Sequence, residues 1–103
     1  MKISNFTNKN GRAVPNQFIC TEEGHGANGN FIKRETFQSY KSIIAVITYW
    51  PDEKRVQLDK SKWDYSVTTG KYRNQFLNET KKETEKKIAK GIYVLTDLNK
   101  NNN

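Results

Sequence analysis

Apolar residues along the chain fall into short runs separated by polar turns, and the period of each run names an element. Gln17–Thr21 (QFICT) reads as a strand. Glu22–Asn30 (EEGHGANGN) is rich in Gly and Asn and reads as a flexible turn, with Phe31–Glu35 (FIKRE) a second, weaker strand. Ser42–Tyr49 (SIIAVITY) carries the strongest strand pattern. Ile43, Ala45 and Ile47 lie on one face and Ile44 and Val46 on the other, so it belongs at the centre of a sheet. Trp50–Lys54 (WPDEK) suits a turn, and Arg55–Asp59 (RVQLD) alternates with Val56 and Leu58 inward, completing a hairpin.

The pattern then changes to a helical one. Thr69–Glu79 places Tyr72 and Phe76 on one face with Leu77 beside them, and Thr68 or Thr69 is the expected cap. A second helix opens with the capping box Thr80-Lys81-Lys82-Glu83. Lys86, Lys87 and Lys90 sit near its end, where positive charge suits the dipole, and Gly91 is the expected left-handed stop. Ile92–Leu98 (IYVLTDL) is a closing strand. The order predicts an α+β class: one small domain, a mostly antiparallel sheet of about five strands, and two short helices on one face. Residues 1–15 and 99–103 are expected to be loosely ordered. Sheet order does not follow from the pattern.

Length and composition narrow the function. A chain of 103 residues fits one domain. No apolar run approaches the ~20 residues of a membrane span, and the start lacks the apolar stretch of a signal peptide. The single cysteine, Cys20, has no internal disulfide partner, which fits a reducing cytoplasm. The net charge is +7, and it is uneven: residues 1–52 hold 6 basic and 4 acidic side chains, residues 53–103 hold 12 and 7. An anionic partner therefore belongs with the second half. Of the 18 basic residues 14 are Lys, and there are 12 Asn, a bias that AT-rich coding also produces.

Catalytic signatures are thin. Cys20 and His25, with Glu22 and Glu23 between them, fall short of a four-ligand metal set. Gly24–Gly29 precedes an extended segment rather than a helix, so it does not read as a phosphate-cradling loop. In Thr69-Gly70-Lys71 the next residue is Tyr72, not the Ser or Thr of a P-loop. The carboxylate pairs Asp59/Asp64 and Glu83/Glu85 flank no cleft signature. The expectation is a non-enzyme without metal or cofactor.

The richest stretch is Lys60–Arg73 (KSKWDYSVTTGKYR). It interleaves Lys60, Lys62, Lys71 and Arg73 with Trp63, Tyr65 and Tyr72, a mixture suited to phosphates and stacked bases. Trp63 and Tyr72 also suit the core, and Tyr65 is open to either role. The second helix has Ile88 and Ala89 as apolar anchors, leaving Lys82, Lys86 and Lys90 on a solvated basic ridge. The candidate binding residues are therefore Lys60, Lys62, Tyr65, Lys71, Arg73, Lys82, Lys86 and Lys90.

Phe37–Ala45, Val56–Asp59, the block Trp63-Asp64-Tyr65-Ser66-Val67-Thr68-Thr69 with its continuation to Leu77, and Gly91-Ile92 with Leu95–Asn99 together resemble an uncharacterised family of small phage and prophage proteins. The similarity covers about residues 29–99. No catalytic residue comes with it. It implies a phage-type binding protein in the host-cell cytoplasm that blocks or modulates a host nucleic-acid machine, as an anti-CRISPR or other counter-defence inhibitor does. Its partner is then a host protein or nucleoprotein complex. The alternative is a direct single-stranded DNA- or RNA-binding accessory protein of phage replication or transcription.

Overall fold

The computed structural model describes residues 1–24 and 31–100. Six strands and two helices follow in the order β1 (Lys2–Thr7), β2 (Ala13–Glu23), β3 (Lys33–Ser39), β4 (Ser42–Tyr49), β5 (Lys54–Asp59), α1 (Val67–Leu77), α2 (Lys81–Ala89) and β6 (Tyr93–Thr96). The strands form one sheet in chain order, β1-β2-β3-β4-β5-β6. Every neighbouring pair is antiparallel except β5–β6, which is parallel because the two helices carry the chain back.

The α+β reading holds, with one strand more than expected. The addition is β1, which lies in the segment expected to be loose. Phe6 on β1 is buried and packs edge-on against Phe37, at 5.2 Å between ring centroids. Only one side chain of KISNFT is buried, so the segment carries little apolar signal. At the other end, the Asn99 side chain accepts from Ile43 N–H and donates to Ile43 C=O, which docks the start of the expected tail. Residues 101–103 lie outside the described residues, as does the part of the expected Gly-rich turn that includes His25.

β4 occupies its expected bounds and an interior place in the sheet. Its apolar character on both sides has a local cause. Phe37 pairs with Ala45 and Gln38 with Ile43, so Ile44 is an extra residue opposite β3. This bulge lets both Ile44 and Ala45 join the core, each fully buried, so Ile44 lies with Ala45 and Ile47 rather than with Val46 as the alternation predicted, and Ile43 turns to the other face. Ala45, Ile47, Val56, Leu58 and Tyr93 form one cluster, against which Phe76 and Leu77 of α1 and Ile88 of α2 pack. Phe6, Phe37, Ile44 and Tyr72 form the second, with Phe76 shared between the two. A fully buried Phe, Ile or Leu contributes roughly 1.5–3 kcal/mol, so these clusters dominate the stability. Both helices therefore cover the same sheet face. The strand alternation turns Cys20, Thr36, Val46 and Thr48 to the other one.

Helix starts follow from the caps. α1 begins two residues earlier than expected because Ser66, not Thr68 or Thr69, accepts the Thr69 amide. Thr69 is instead buried, its hydroxyl 3.0 Å from that of Ser39 on β3. Asn78 in the left-handed region ends the helix, with Asn78 and Glu79 amides bonded to Gln75 and Asn74 carbonyls. The Thr80–Glu83 capping box of α2 is present in both directions. Gly91 (φ 75°) closes α2, with Gly91 and Ile92 amides reaching Ile88 and Lys87 carbonyls. Thr84 and Ile88 anchor this helix, whereas Ala89 is exposed.

Candidate nucleic-acid interface

A depression opens where the loop after β5 meets the start of α1 and the start of α2. Asp64, Tyr65, Val67, Lys71, Arg73 and Lys81 are among its lining residues. Three candidate residues, Tyr65, Lys71 and Arg73, therefore come together. Tyr65 is 45% exposed, and Lys62 places its ammonium 5.2 Å from the Tyr65 ring centroid. This is a usable aromatic surface with a cation beside it. Lys71 is exposed, its Nζ 5.4 Å from the ring of Tyr72, which itself belongs to the core. Lys60 is exposed at the turn after β5 and does not line the depression.

Arg73 departs from expectation. It is 1% exposed. Its Nη1 donates to Trp63 O (2.7 Å) and Asp64 Oδ1 (3.2 Å), and Nη2 donates to Asn74 Oδ1 (3.0 Å). The guanidinium lies 5.2 Å from the Trp63 ring centroid. Nη1 ties the loop to α1 and Nη2 stays on the helix, while the buried Nε has no protein partner among the described residues; a guanidinium so enclosed is a structural cation rather than a contact residue. Asp64 extends this connection to α2 through Lys81 Nζ at 2.7 Å. Burial pushes the Asp64 carboxyl up, but hydrogen bonds from Lys81 and Arg73 outweigh it and hold the group below its ordinary range.

Lys82, Lys86 and Lys90 are all exposed on one side of α2 and its cap, at helical spacings of four. At 1.5 Å per residue they span roughly 12 Å. No ion pair engages any of the three among the described residues.

Sequence reasoning missed where the acids go. Asp59 is buried and accepts the Ser61, Lys62 and Leu98 amides. Glu79, only 4% exposed at its side chain, accepts from Lys87 Nζ (2.7 Å), Tyr93 Oη (2.8 Å) and Thr84 Oγ1 (2.5 Å). Burial raises the Glu79 carboxyl, yet the Lys87, Thr84 and Tyr93 donors hold it below its ordinary value. Glu83 closes the α2 capping box and Glu53 pairs with Arg55. Most carboxylates of the second half are thus turned to internal donors, while Lys60, Lys71, Lys82, Lys86 and Lys90 face solvent. The one sequence signal was Glu83, through the capping box.

The architecture is that of a small α+β domain with a helix-covered sheet and a lysine-bearing helical side. The chain belongs to a family of unknown function, DUF8033, which matches residues 1–91. That span takes in the N-terminal residues that the phage-family resemblance leaves out, and it stops short of β6. Neither a curated protein nor a solved structure matches the chain. No helix among the described residues is long and apolar enough to cross a membrane.

Proposed function

We propose that this protein is a non-enzymatic, phage-type binding protein that blocks or modulates a host nucleic-acid machine. It acts by laying its lysine-bearing helical side against that machine's polyanionic surface. One observation carries the reading: the carboxylates Asp59, Asp64, Glu79 and Glu83 are held by internal donors, so the exposed Lys60, Lys71, Lys82, Lys86 and Lys90 outnumber the acids left beside them, of which Glu85 is the exposed one on α2. Lysines on a rigid helix bind phosphates as point charges and steer association, with little demand on base sequence.

A second reading, direct single-stranded DNA or RNA binding in phage replication or transcription, draws support from the exposed Tyr65 ring beside Lys62. The test is capture of tagged protein complexes from host lysate at ~150 mM salt, where separated charges are largely screened. It is run with and without nuclease, wild type beside K82E/K86E/K90E. The expected result is a stoichiometric host complex that survives nuclease and is lost by the triple variant. Unchanged capture by the triple variant would remove the helical side as the interface. Nucleic acid alone, lost after nuclease, would favour the second reading.

A further inference from the structure

The sheet face opposite the helices carries a groove of about 620 Å³, lined among others by Arg34, Thr48, Trp50, Arg55, Gln57 and Val94. Its floor is set by register. Arg34 on β3, Thr48 on β4 and Arg55 on β5 stand in one row across the sheet. The neighbouring row holds Thr36, Val46, Gln57 and Val94. Both helices pack on the other face, so no helix covers this groove among the described residues.

The two arginines are mounted alike. The Arg34 guanidinium lies 4.3 Å from the Phe31 ring centroid, and that of Arg55 lies 5.3 Å from the Trp50 centroid. The Arg34 Nε donates to Thr48 Oγ1 at 3.3 Å. Its two Nη groups have no protein partner among the described residues. Arg55 pairs with Glu53 at 3.1 Å, but its side chain remains 68% exposed. β3 and β5 are two strand spacings apart, so the stacks flank Thr48 at roughly 10 Å. Glu53 is the one acid in the lining among the described residues.

Residue choice argues against a face that is merely solvated. The chain uses Lys for 14 of its 18 cations, yet two of its four Arg stand here, each against an aromatic ring. A surface kept only for solubility has no need of that exchange. Arg offers a flat, weakly hydrated plane with forked donors, which suits both a base face and a phosphate. Trp50 and Phe31 are half-buried, so their rings are held rather than free. Gln57 is exposed beside them, with an amide able to meet a base edge. An antiparallel sheet face that presents aromatic rings and cations is a general platform for unstacked bases, and duplex edges cannot lie flat on it.

We infer that this groove is a binding site for single-stranded nucleic acid, with bases stacked over the Arg34–Phe31 and Arg55–Trp50 pairs and phosphates met by their guanidinium forks. It is a different surface from the lysine-bearing helical side and stands independently of the function proposed for that side.

The experiment is fluorescence anisotropy of fluorescein-labelled mixed-sequence oligonucleotides, as single-stranded DNA, single-stranded RNA and duplex DNA, at ~150 mM salt. Loss of one stacked contact is worth ~1–3 kcal/mol, so R34A/R55A should weaken single-strand binding about tenfold or more. R55A alone should show a smaller loss; its exposed side chain makes it the variant least able to disturb the fold. Trp50→Phe should remove the fluorescence quench that single-strand binding produces. K82E/K86E/K90E should leave the single-strand preference over duplex intact. The inference fails if neither single strand binds, if duplex binds as tightly as single strand, or if R55A and R34A/R55A bind like wild type while the lysine variant does not.

Discussion

Removing the Glu79 carboxylate should destabilise the protein far more than its place in the polar turn between the helices suggests. Glu79 lies between the two helices, and its buried side chain is the shared acceptor for Lys87, Thr84 and Tyr93. Breaking a buried ionic network by deleting one partner costs ~3–5 kcal/mol when every partner is stranded. Here the loss falls at the low end of that range. The Lys87 side chain is 40% exposed and can rehydrate, and the single Thr84 hydroxyl proton can turn to Thr80 O. The Tyr93 hydroxyl, on a residue only 8% exposed, keeps only a long 3.5 Å contact with Lys87. A cost of about 3 kcal/mol for Glu79→Ala follows. For a domain of this size that lowers Tm by roughly 12–24 °C.

The assay is thermal and denaturant unfolding followed by circular dichroism, for wild type, E79A and E79Q. Because the folded state holds the Glu79 carboxyl below its ordinary value, its contribution is complete above the unfolded pKa of ~4.3. It fades as pH falls through the folded value, so the gap between wild type and E79Q should narrow below about pH 4. A loss under ~1 kcal/mol for E79A, or a gap that stays constant from pH 7 to pH 3, would refute the reasoning.

Two further outcomes are expected. Ile44→Asp puts a charge at a fully buried bulge position in an interior strand and should abolish cooperative unfolding at 25 °C by the same assay; an unchanged melting curve would contradict the packing described. Gly24→Ala should destabilise by about 2 kcal/mol in denaturant titrations, because a methyl group there would meet the Phe31 carbonyl oxygen at 1.8 Å and one backbone segment must move.

What the sequence revealed, and what it concealed, divides along a physical line. β4 was legible because seven of its eight residues are apolar or Thr, and α2 because Thr80 and Glu83 spell out a cap. These signals are local. β1 was invisible because its stability comes from pairing with β2 and from Phe6 meeting Phe37 far along the chain. α1 was located, but its start depended on which of Ser66, Thr68 and Thr69 turned its hydroxyl to the helix, and Thr69 was drawn instead to Ser39. The candidate site shows the same limit. The lysines of α2 could be placed by helical spacing alone. The burial of Arg73 required its contacts with Trp63 and Asp64, and the Arg34–Thr48–Arg55 row required sheet register. Charge composition names cations; only packing says which of them remain available.

The coincidence of chain order and spatial order in the sheet has a consequence for how the molecule is made. β1 to β5 can zip together as successive hairpins, each closing only a short loop, so their assembly is fast and local. β6 alone must wait for both helices, and it docks alongside Val56 and Leu58 as the last piece. Until it does, the β5 edge offers unpaired backbone next to apolar side chains, the template on which chains join one another. A chain cut before Tyr93 should therefore clump rather than simply melt early, which makes the four residues of β6 a guard against self-association during synthesis.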